Sequence, residues 1–301
     1  EELPVSSFEG RTRATLKIQD GCSQFCSYCR VPFARGKPRS RNLEDVVEQA
    51  AEIAARGYQE IVLTGVHLGA YGQDFEPQLH LSDVVKALLP IEGLTRIRIS
   101  SIDPHEITPE LLELIATEEK VCRHLHIPLQ SGSDGVLERM RRRYNTNEYR
   151  EVVQAAYAQI PDLAVTTDVI VGFPGETDAE FADTTSFIEE MGFSRLHVFR
   201  YSRRTGTPAA RFPNQIPATV KDERSHSLIA LGESLQEKFH QRYVGKTLDV
   251  LVEQVDKGKA VGLTGNYIRV EFECNSEELI GQTVQVEAQS ADSRGFCGIL
   301  V

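Results

Sequence analysis

The 301 residues carry 26% charged and 41% hydrophobic side chains, enough to bury one large core or a large and a small one, and the composition excludes disordered, collagenous and disulfide-scaffold chains. No run of 18 apolar residues and no basic-then-apolar leader occurs, which excludes a helical membrane span and a visible export signal. A formal charge of −11 excludes a uniformly basic nucleic-acid binder, yet fifteen of the 33 basic residues fall in three stretches, 30–41, 139–150 and 195–211, that together hold one carboxylate.

The opening Glu1-Glu2-Leu3-Pro4 lacks an initiator methionine, so residues 1–12 are expected to be a linker from a preceding domain. From there short β-rich runs alternate with helical periodicity. Strands are expected at Ala14–Gln19, Glu60–Thr64, Arg96–Ser100, His124–Ile127, Ala164–Val171 and Arg195–Phe199. Helices are expected at Leu43–Arg56, Leu81–Leu89, Pro109–Thr117, Glu148–Gln159, Asp178–Met191 and Val220–Tyr243. Asn42 is a candidate N-cap, Thr108-Pro109 puts proline at a first helical position, and Asp178 opens an acidic first turn. Strand-helix units of this length imply parallel strands with crossover helices, and six of them suit a partial (βα)6 TIM-like barrel over residues 13–240.

Beyond about Arg242 the texture changes. Leu248–Val255, Ala260–Thr264, Tyr267–Phe272, Thr283–Ala288 and Gly295–Leu300 read as short strands separated by turn residues, with no helix between them. Residues 241–301 are therefore expected to form a separate five-stranded antiparallel β-barrel of OB-like size, which completes an α/β fold class.

Each expected barrel strand is followed by polar or glycine-rich residues, and in a βα barrel those ends share one mouth. After the first strand, Cys22, Cys26 and Cys29 stand at C-x3-C-x2-C spacing. Three thiolates fill three corners of a four-iron cluster and leave one iron open. A zinc ion wants a fourth ligand; His67 is available for it, whereas Cys122, Cys274 and Cys297 stand alone and read as small buried side chains. Gln130, Ser133 and Asp168 are expected to converge at the same mouth. The three arginine-rich stretches either meet there as one positive patch or are unrelated solvated faces, and arginine suits phosphate.

The cysteine loop, with Tyr28 immediately before its third cysteine, resembles the signature of the radical S-adenosylmethionine superfamily. Gln19-Asp20-Gly21-Cys22, Pro32-Phe33-Ala34-Arg35-Gly36, Arg39-Ser40-Arg41, Pro128 to Ser133 and Asp168 to Glu176 extend the likeness to the methylthiotransferases, and the small barrel resembles their RNA-binding TRAM domain. Thr64 to Gly72, Cys122 to His126 and His197 to Arg204 are most similar to the branch acting on threonylcarbamoyladenosine in tRNA. The other branches act on isopentenyladenosine in tRNA or on a ribosomal-protein aspartate, and a non-catalytic, zinc-containing RNA-binding module is the alternative of a different class.

The resemblance implies a [4Fe-4S] cluster on Cys22, Cys26 and Cys29 and S-adenosyl-L-methionine on its open iron. It further implies that Tyr28, Ile170, Gly172 and Phe173 lie by the adenine, that Thr64, Gly65 and Val66 face the amino group, and that Ser100, Ser101 and Gln130, with Ser133 and Asp168 nearby, meet the ribose or carboxylate. No catalytic side chain beyond cluster and cofactor is implied, since a deoxyadenosyl radical takes hydrogen from C2 of the base at position 37 and a methylthio group replaces it. Arg39, Arg41, Arg141, Arg142, Arg143, Arg203 and Arg204 are expected at the rim, on the phosphates of a tRNA anticodon loop or the threonyl carboxylate, and Lys257, Lys259, Tyr267 and Arg269 on the small barrel are expected to grip the RNA backbone. A cytoplasmic setting, a flavodoxin-like electron donor and a second [4Fe-4S] cluster on an absent N-terminal domain complete these expectations; without that domain the chain is expected to cleave the cofactor but not to add methylthio groups.

Overall fold

The computed structural model describes residues 12–301, so the expected linker lies, except for Thr12, outside the described residues. In β1 (Arg13–Asp20) Ala14, Leu16 and Ile18 point into the core while Arg13, Thr15, Lys17 and Gln19 point the other way, the period-2 alternation of a strand with one apolar face. A short helix α1 (Val31–Arg35) and a two-residue strand β2 (Arg39–Ser40), which pairs antiparallel with the end of β1, follow the cysteine loop. Then come α2 (Leu43–Ala55), β3 (Glu60–Gly65), α3 (Leu81–Leu88), β4 (Arg96–Ile99), α4 (Pro109–Thr117) and β5 (His124–His126). The barrel is completed by α5 (Asp134–Met140), α6 (Thr146–Gln159), β6 (Ala164–Val171), α7 (Asp178–Met191), β7 (Arg195–Arg200) and the long α8 (Ala218–Gln241).

The helices begin where their caps dictate. The Asn42 side chain accepts from the Glu44 amide and Thr108 from the Leu111 amide, ahead of Pro109. α7 is capped one residue earlier than Asp178: Thr177 and Glu180 form a reciprocal capping box. α1 and α5, of five and seven residues, were not anticipated, because so few residues show no helical period.

β1, β3 and β4 are parallel neighbours, as are β5, β6 and β7. The two sets meet between β4 and β5 through bridges from Ile97 to Val121 and from Ser101 to His126, with the Cys122 amide donating to Ile97 O at 2.9 Å. Among the described residues no ladder joins β7 to β1, so the six-stranded barrel is open on that side. The main core lies between the strands and the outer helices, and the inner faces of the strands are left to polar side chains.

The second unit comprises β8 (Thr247–Asp256), β9 (Lys259–Thr264), β10 (Arg269–Glu273), β11 (Thr283–Asp292) and β12 (Gly295–Leu300), closed in the order β10-β12-β11-β8-β9. Four of its ladders are antiparallel; the one between β10 and β12 is parallel. Phe239 at the end of α8, with Tyr243 beyond it, enters the core of this small barrel.

The small barrel docks at the N-terminal ends of the large barrel's strands, opposite the cysteine loop. Glu60, fully buried, receives Arg98 at 2.6 Å and Arg96 at 3.6 Å. Arg96 donates onward to Leu263 O and Asp249 O at 2.9 and 2.8 Å, and Arg98 to Gly265 O at 3.0 Å. Tyr267 stacks on His124 with ring centroids 4.9 Å apart and lies under the guanidinium of Arg98. This corrects the sequence reading of Tyr267: its ring is spent between the two barrels and is not presented to an RNA backbone.

Candidate functional site

Gly21 turns the chain from β1 into the cysteine loop. Its φ is +80°, and a Cβ there would lie 2.0 Å from Lys37 O, so only glycine lets Cys22 reach its bond from N–H to Gly36 O at 3.0 Å. The loop is then held on two sides: Ser27 N donates to Met140 O at 3.0 Å, and Ala209 N to Ser27 O at 2.9 Å. Backbone amides point at the sulfurs, Gln24 N at Cys22 Sγ (3.5 Å) and Val31 N at Cys29 Sγ (3.4 Å), the environment that stabilises cluster thiolates.

All three thiols are free, and their sulfurs are not gathered within 4.8 Å of one another. A single tetrahedral zinc, with Zn–S near 2.3 Å, would draw them to about 3.8 Å. Three free thiols on one loop, with no fourth protein ligand gathered beside them among the described residues, fit a [4Fe-4S] cluster with one open iron.

Beneath the loop lies a polar brace that sequence reasoning missed. Arg142 donates to Cys26 Sγ at 3.3 Å, to Asp103 Oδ1 at 2.5 Å and to the Tyr144 hydroxyl at 3.2 Å. His67 Nε2 lies 2.5 Å from Glu106 Oε1 and 2.9 Å from the Gln24 amide group. Burial would lower the His67 pKa, but hydrogen bonds with Cys22 and Glu106 outweigh it and push it up to about 10. Burial likewise opposes ionisation of Cys22, and the same His67 contact reverses that and holds the thiol below its usual range. His67, Asp103 and Glu106 bring donor atoms within 4.8 Å of one another, but Arg142 already pairs with Asp103, and His67 Nε2 with Glu106. The group braces the sulfurs. The signal available in sequence was Asp103-Pro104-His105-Glu106 after β4, which reads as an ordinary turn.

The residues expected around the cofactor divide into two sets. Tyr28, Ile170 and Phe173 do come together, in a cluster with Tyr201 and Met140, and Tyr28 and Phe173 meet edge to face at 6.3 Å. Gly172 adjoins them at φ +70°, where a side chain would strike Lys221. Thr64 and Gly65 end β3, with Val66 next in the chain, beside the cysteine loop, tied to it through Gln19, whose Oε1 accepts from His67 N at 2.7 Å and whose amide donates to Gly21 O at 2.9 Å. Ser100 N bonds Leu63 O, Ser101 is exposed, and Gln130, at φ +65°, bonds Asp168 O and Ile170 N through its backbone. The expected convergence of Gln130, Ser133 and Asp168 is not seen in their side chains. Ser133 starts α5 as a buried residue, and the Asp168 carboxylate turns to His126 at 3.3 Å.

The three arginine-rich stretches meet around the cysteine loop: Arg30 donates to Thr205 O, and Arg143 donates to Ser23 O at 3.3 Å. Not all of their charge faces outward. Arg142 is corrected from a rim contact to a buried member of the brace, because Asp103 and Cys26 pull it inward. Arg139 and Arg150 pair with Glu180 and Glu190, and Arg39 lies 3.5 Å from Asp20. Arg41 is half-buried and bonds Lys17 O, while Arg141, Arg143, Arg203 and Arg204 stay exposed. On the small barrel Lys257 is exposed in the turn between β8 and β9, and Lys259 and Arg269 flank Glu271 at 2.5 and 3.6 Å.

An open βα barrel with three braced thiols on the loop after its first strand defines a class of cluster-bearing enzymes, and the comparisons agree. The radical SAM superfamily description fits residues 16–188, and the TRAM domain description fits residues 241–294. The chain is 46% identical to threonylcarbamoyladenosine tRNA methylthiotransferase MtaB of Bacillus subtilis (strain 168), over 97% of this chain and 65% of the relative. It is 38% identical to the MtaB of Chlamydia pneumoniae, over all of this chain and 70% of the relative. The tRNA-2-methylthio-N(6)-dimethylallyladenosine synthase of Thermoanaerobacter pseudethanolicus is 37% identical over all of this chain and 64% of its own length. Among solved structures, the radical S-adenosylmethionine methyltransferase TsrM from Kitasatospora setae superposes with TM-score 0.55 at 18% identity over 65% of this chain and 35% of its own. Coproporphyrinogen III oxidase HemN from Escherichia coli superposes at 0.54 with 15% identity over 95% and 68%; both show the fold alone. The chain belongs to the radical SAM superfamily and, within it, to the methylthiotransferase family. It spans about two thirds of the length of the curated relatives it matches.

Proposed function

We propose that the protein is a tRNA methylthiotransferase that converts N6-threonylcarbamoyladenosine at position 37 to its 2-methylthio derivative. The observation that carries this reading is the cysteine loop: three free thiols, two met by backbone amides and one by Arg142, on the loop after the first strand of an open barrel. The 46% identity to an MtaB enzyme supports this branch over isopentenyladenosine or a ribosomal-protein aspartate.

Cys22, Cys26 and Cys29 would hold the cluster, and Tyr28, Ile170 and Phe173 would line the apolar side of the S-adenosyl-L-methionine site. Bound together, cluster and cofactor supply the power to remove the hydrogen on C2 of the base. The chain's own residues prepare for this. Arg142 fixes the Cys26 sulfur, and Gln19 locks the β1 and β3 ends together. Exposed Arg141, Arg143, Arg203 and Arg204 surround the mouth and suit the phosphates of a splayed anticodon loop. Among the described residues no helix is long and apolar enough to cross a membrane, and a tRNA substrate fits a cytoplasmic setting.

The test uses the protein at its natural length, purified without oxygen. About four irons with acid-labile sulfide should bind on these cysteines, and cofactor cleavage should rise with tRNA carrying threonylcarbamoyladenosine. The RNA product should gain one methylthio group. One zinc per chain, or stimulation by a ribosomal protein in place of tRNA, overturns the reading.

A further inference from the structure

The inner face of the barrel carries a chain of polar side chains that neither the cluster nor the cofactor accounts for. His124 and His126 share one face of β5, and their ring nitrogens lie 3.0 and 2.9 Å from the Thr166 hydroxyl on β6. The other nitrogen of His126 lies 3.3 Å from Asp168, and Asp168 is the register partner of His197 on β7. The rings of His126 and His197 meet edge to face at 5.7 Å.

One proton arrangement satisfies these contacts. Asp168 accepts from His126 Nε2–H, which leaves His126 Nδ1 to accept the Thr166 hydroxyl proton. Thr166 then accepts from His124 Nε2–H, and His124 Nδ1 is the group left over, as observed. Burial pushes the His124 pKa down, in keeping with the neutral ring this scheme needs. The chain of bonds ends at Asp168; beyond it His197 meets only the ring of His126, and its own ring nitrogens make no hydrogen bond among the described residues. Its face of β7 also carries Arg195, exposed and without an ion pair among the described residues.

We propose that His197, backed by the ring of His126, which Asp168 holds, is the specificity wall that receives the hydrophilic substituent on N6 of the target base. The inference rests on the function proposed above and deepens it. C2 and C6 of adenine flank the same ring nitrogen, so a base with C2 at the mouth sends its N6 substituent along the inner wall. A threonylcarbamoyl group brings a urea, a hydroxyl and a carboxylate, which match imidazole donors and acceptors and the cation of Arg195. A five-carbon isopentenyl group offers these nitrogens nothing, and a site built to hydrogen-bond discriminates strongly against a substituent that leaves its polar groups unpaired.

The experiment measures equilibrium binding, by fluorescence anisotropy, of anticodon stem-loops that carry adenosine, isopentenyladenosine or threonylcarbamoyladenosine, with the protein at its natural length. The wild type is expected to favour the threonylcarbamoyl stem-loop over the unmodified one by about tenfold or more. His197→Phe should bring that ratio close to one and improve the relative affinity for the isopentenyl stem-loop, while His197→Gln, which keeps a donor and an acceptor, should retain most of the preference. If the wild type shows the preference and His197→Phe keeps it within twofold, the specificity wall is wrong and the proposed function stands. If the wild type itself favours the isopentenyl stem-loop, both fall together.

Discussion

The Arg142 guanidinium stands 3.3 Å from the sulfur of Cys26 and 2.5 Å from the carboxylate of Asp103, so one buried cation serves the proposed cluster ligand and a carboxylate together. An N–H donor and a positive charge beside a thiolate favour the reduced cluster. Arg142→Met should therefore make the midpoint of the reconstituted cluster more negative by roughly 40–90 mV, the one-electron equivalent of about 1–2 kcal/mol. Asp103→Asn, which removes the opposing charge, should move it the other way. Redox titration followed by electron paramagnetic resonance checks both signs; equal shifts in one direction would disconnect this pair from the cluster.

The weld between the barrels predicts a pH signature. Burial would raise the Glu60 pKa, but Arg98, Arg96 and Arg13 outweigh it and hold the carboxyl below its usual value. A group depressed in the folded state contributes stability above its unfolded pKa, near 4.3, and loses it as pH falls through the folded value. Glu60→Gln should cost about 3–5 kcal/mol near neutral pH, because it strands two buried arginines. Denaturation of wild type and variant across pH 3–8 should give a constant difference down to about pH 5 that shrinks below it. A difference independent of pH would mean that Glu60 is not the ionised centre of the interface.

Gly21→Ala tests whether cluster capture depends on the turn after β1. A methyl group 2.0 Å from Lys37 O must displace the backbone that carries Cys22. Iron bound per chain should fall severalfold while circular dichroism keeps the barrel signature, since the residue lies beyond the end of β1. Full iron loading in this variant would show that the loop tolerates another path.

How much of this was legible depended on whether the chemistry was local. The strand pattern of β1, with Ala14, Leu16 and Ile18 on one face, and the C-x3-C-x2-C spacing are short-range signals, and both could be read along the chain. The brace could not: Gln24, His67, Asp103 and Arg142 come from four different loops, and only the fold shows that Arg142 turns inward while its neighbours Arg141 and Arg143 stay outside. Tyr267 failed for the same reason. An aromatic beside Arg269 in a small barrel resembles an RNA-stacking residue, and its burial against His124 depends on how two barrels dock.

Arg141 carries the last prediction, because it combines strain with exposure. It ends α5 in the left-handed conformation, φ 59° and ψ 43°, a position where glycine is the favoured residue. Arg141→Gly should therefore stabilise the fold by about 1 kcal/mol, visible as a raised denaturation midpoint. If the arginine is kept there for phosphate, the same variant should bind tRNA more weakly. With about five phosphates neutralised, the wild type should show log affinity falling against log salt with a slope near −3.5 to −4.5, and the variant should lose about 0.7–0.9 of that slope. A variant that gains stability and leaves the salt slope untouched would remove Arg141 from the RNA-facing rim and leave its strained backbone without a functional reason.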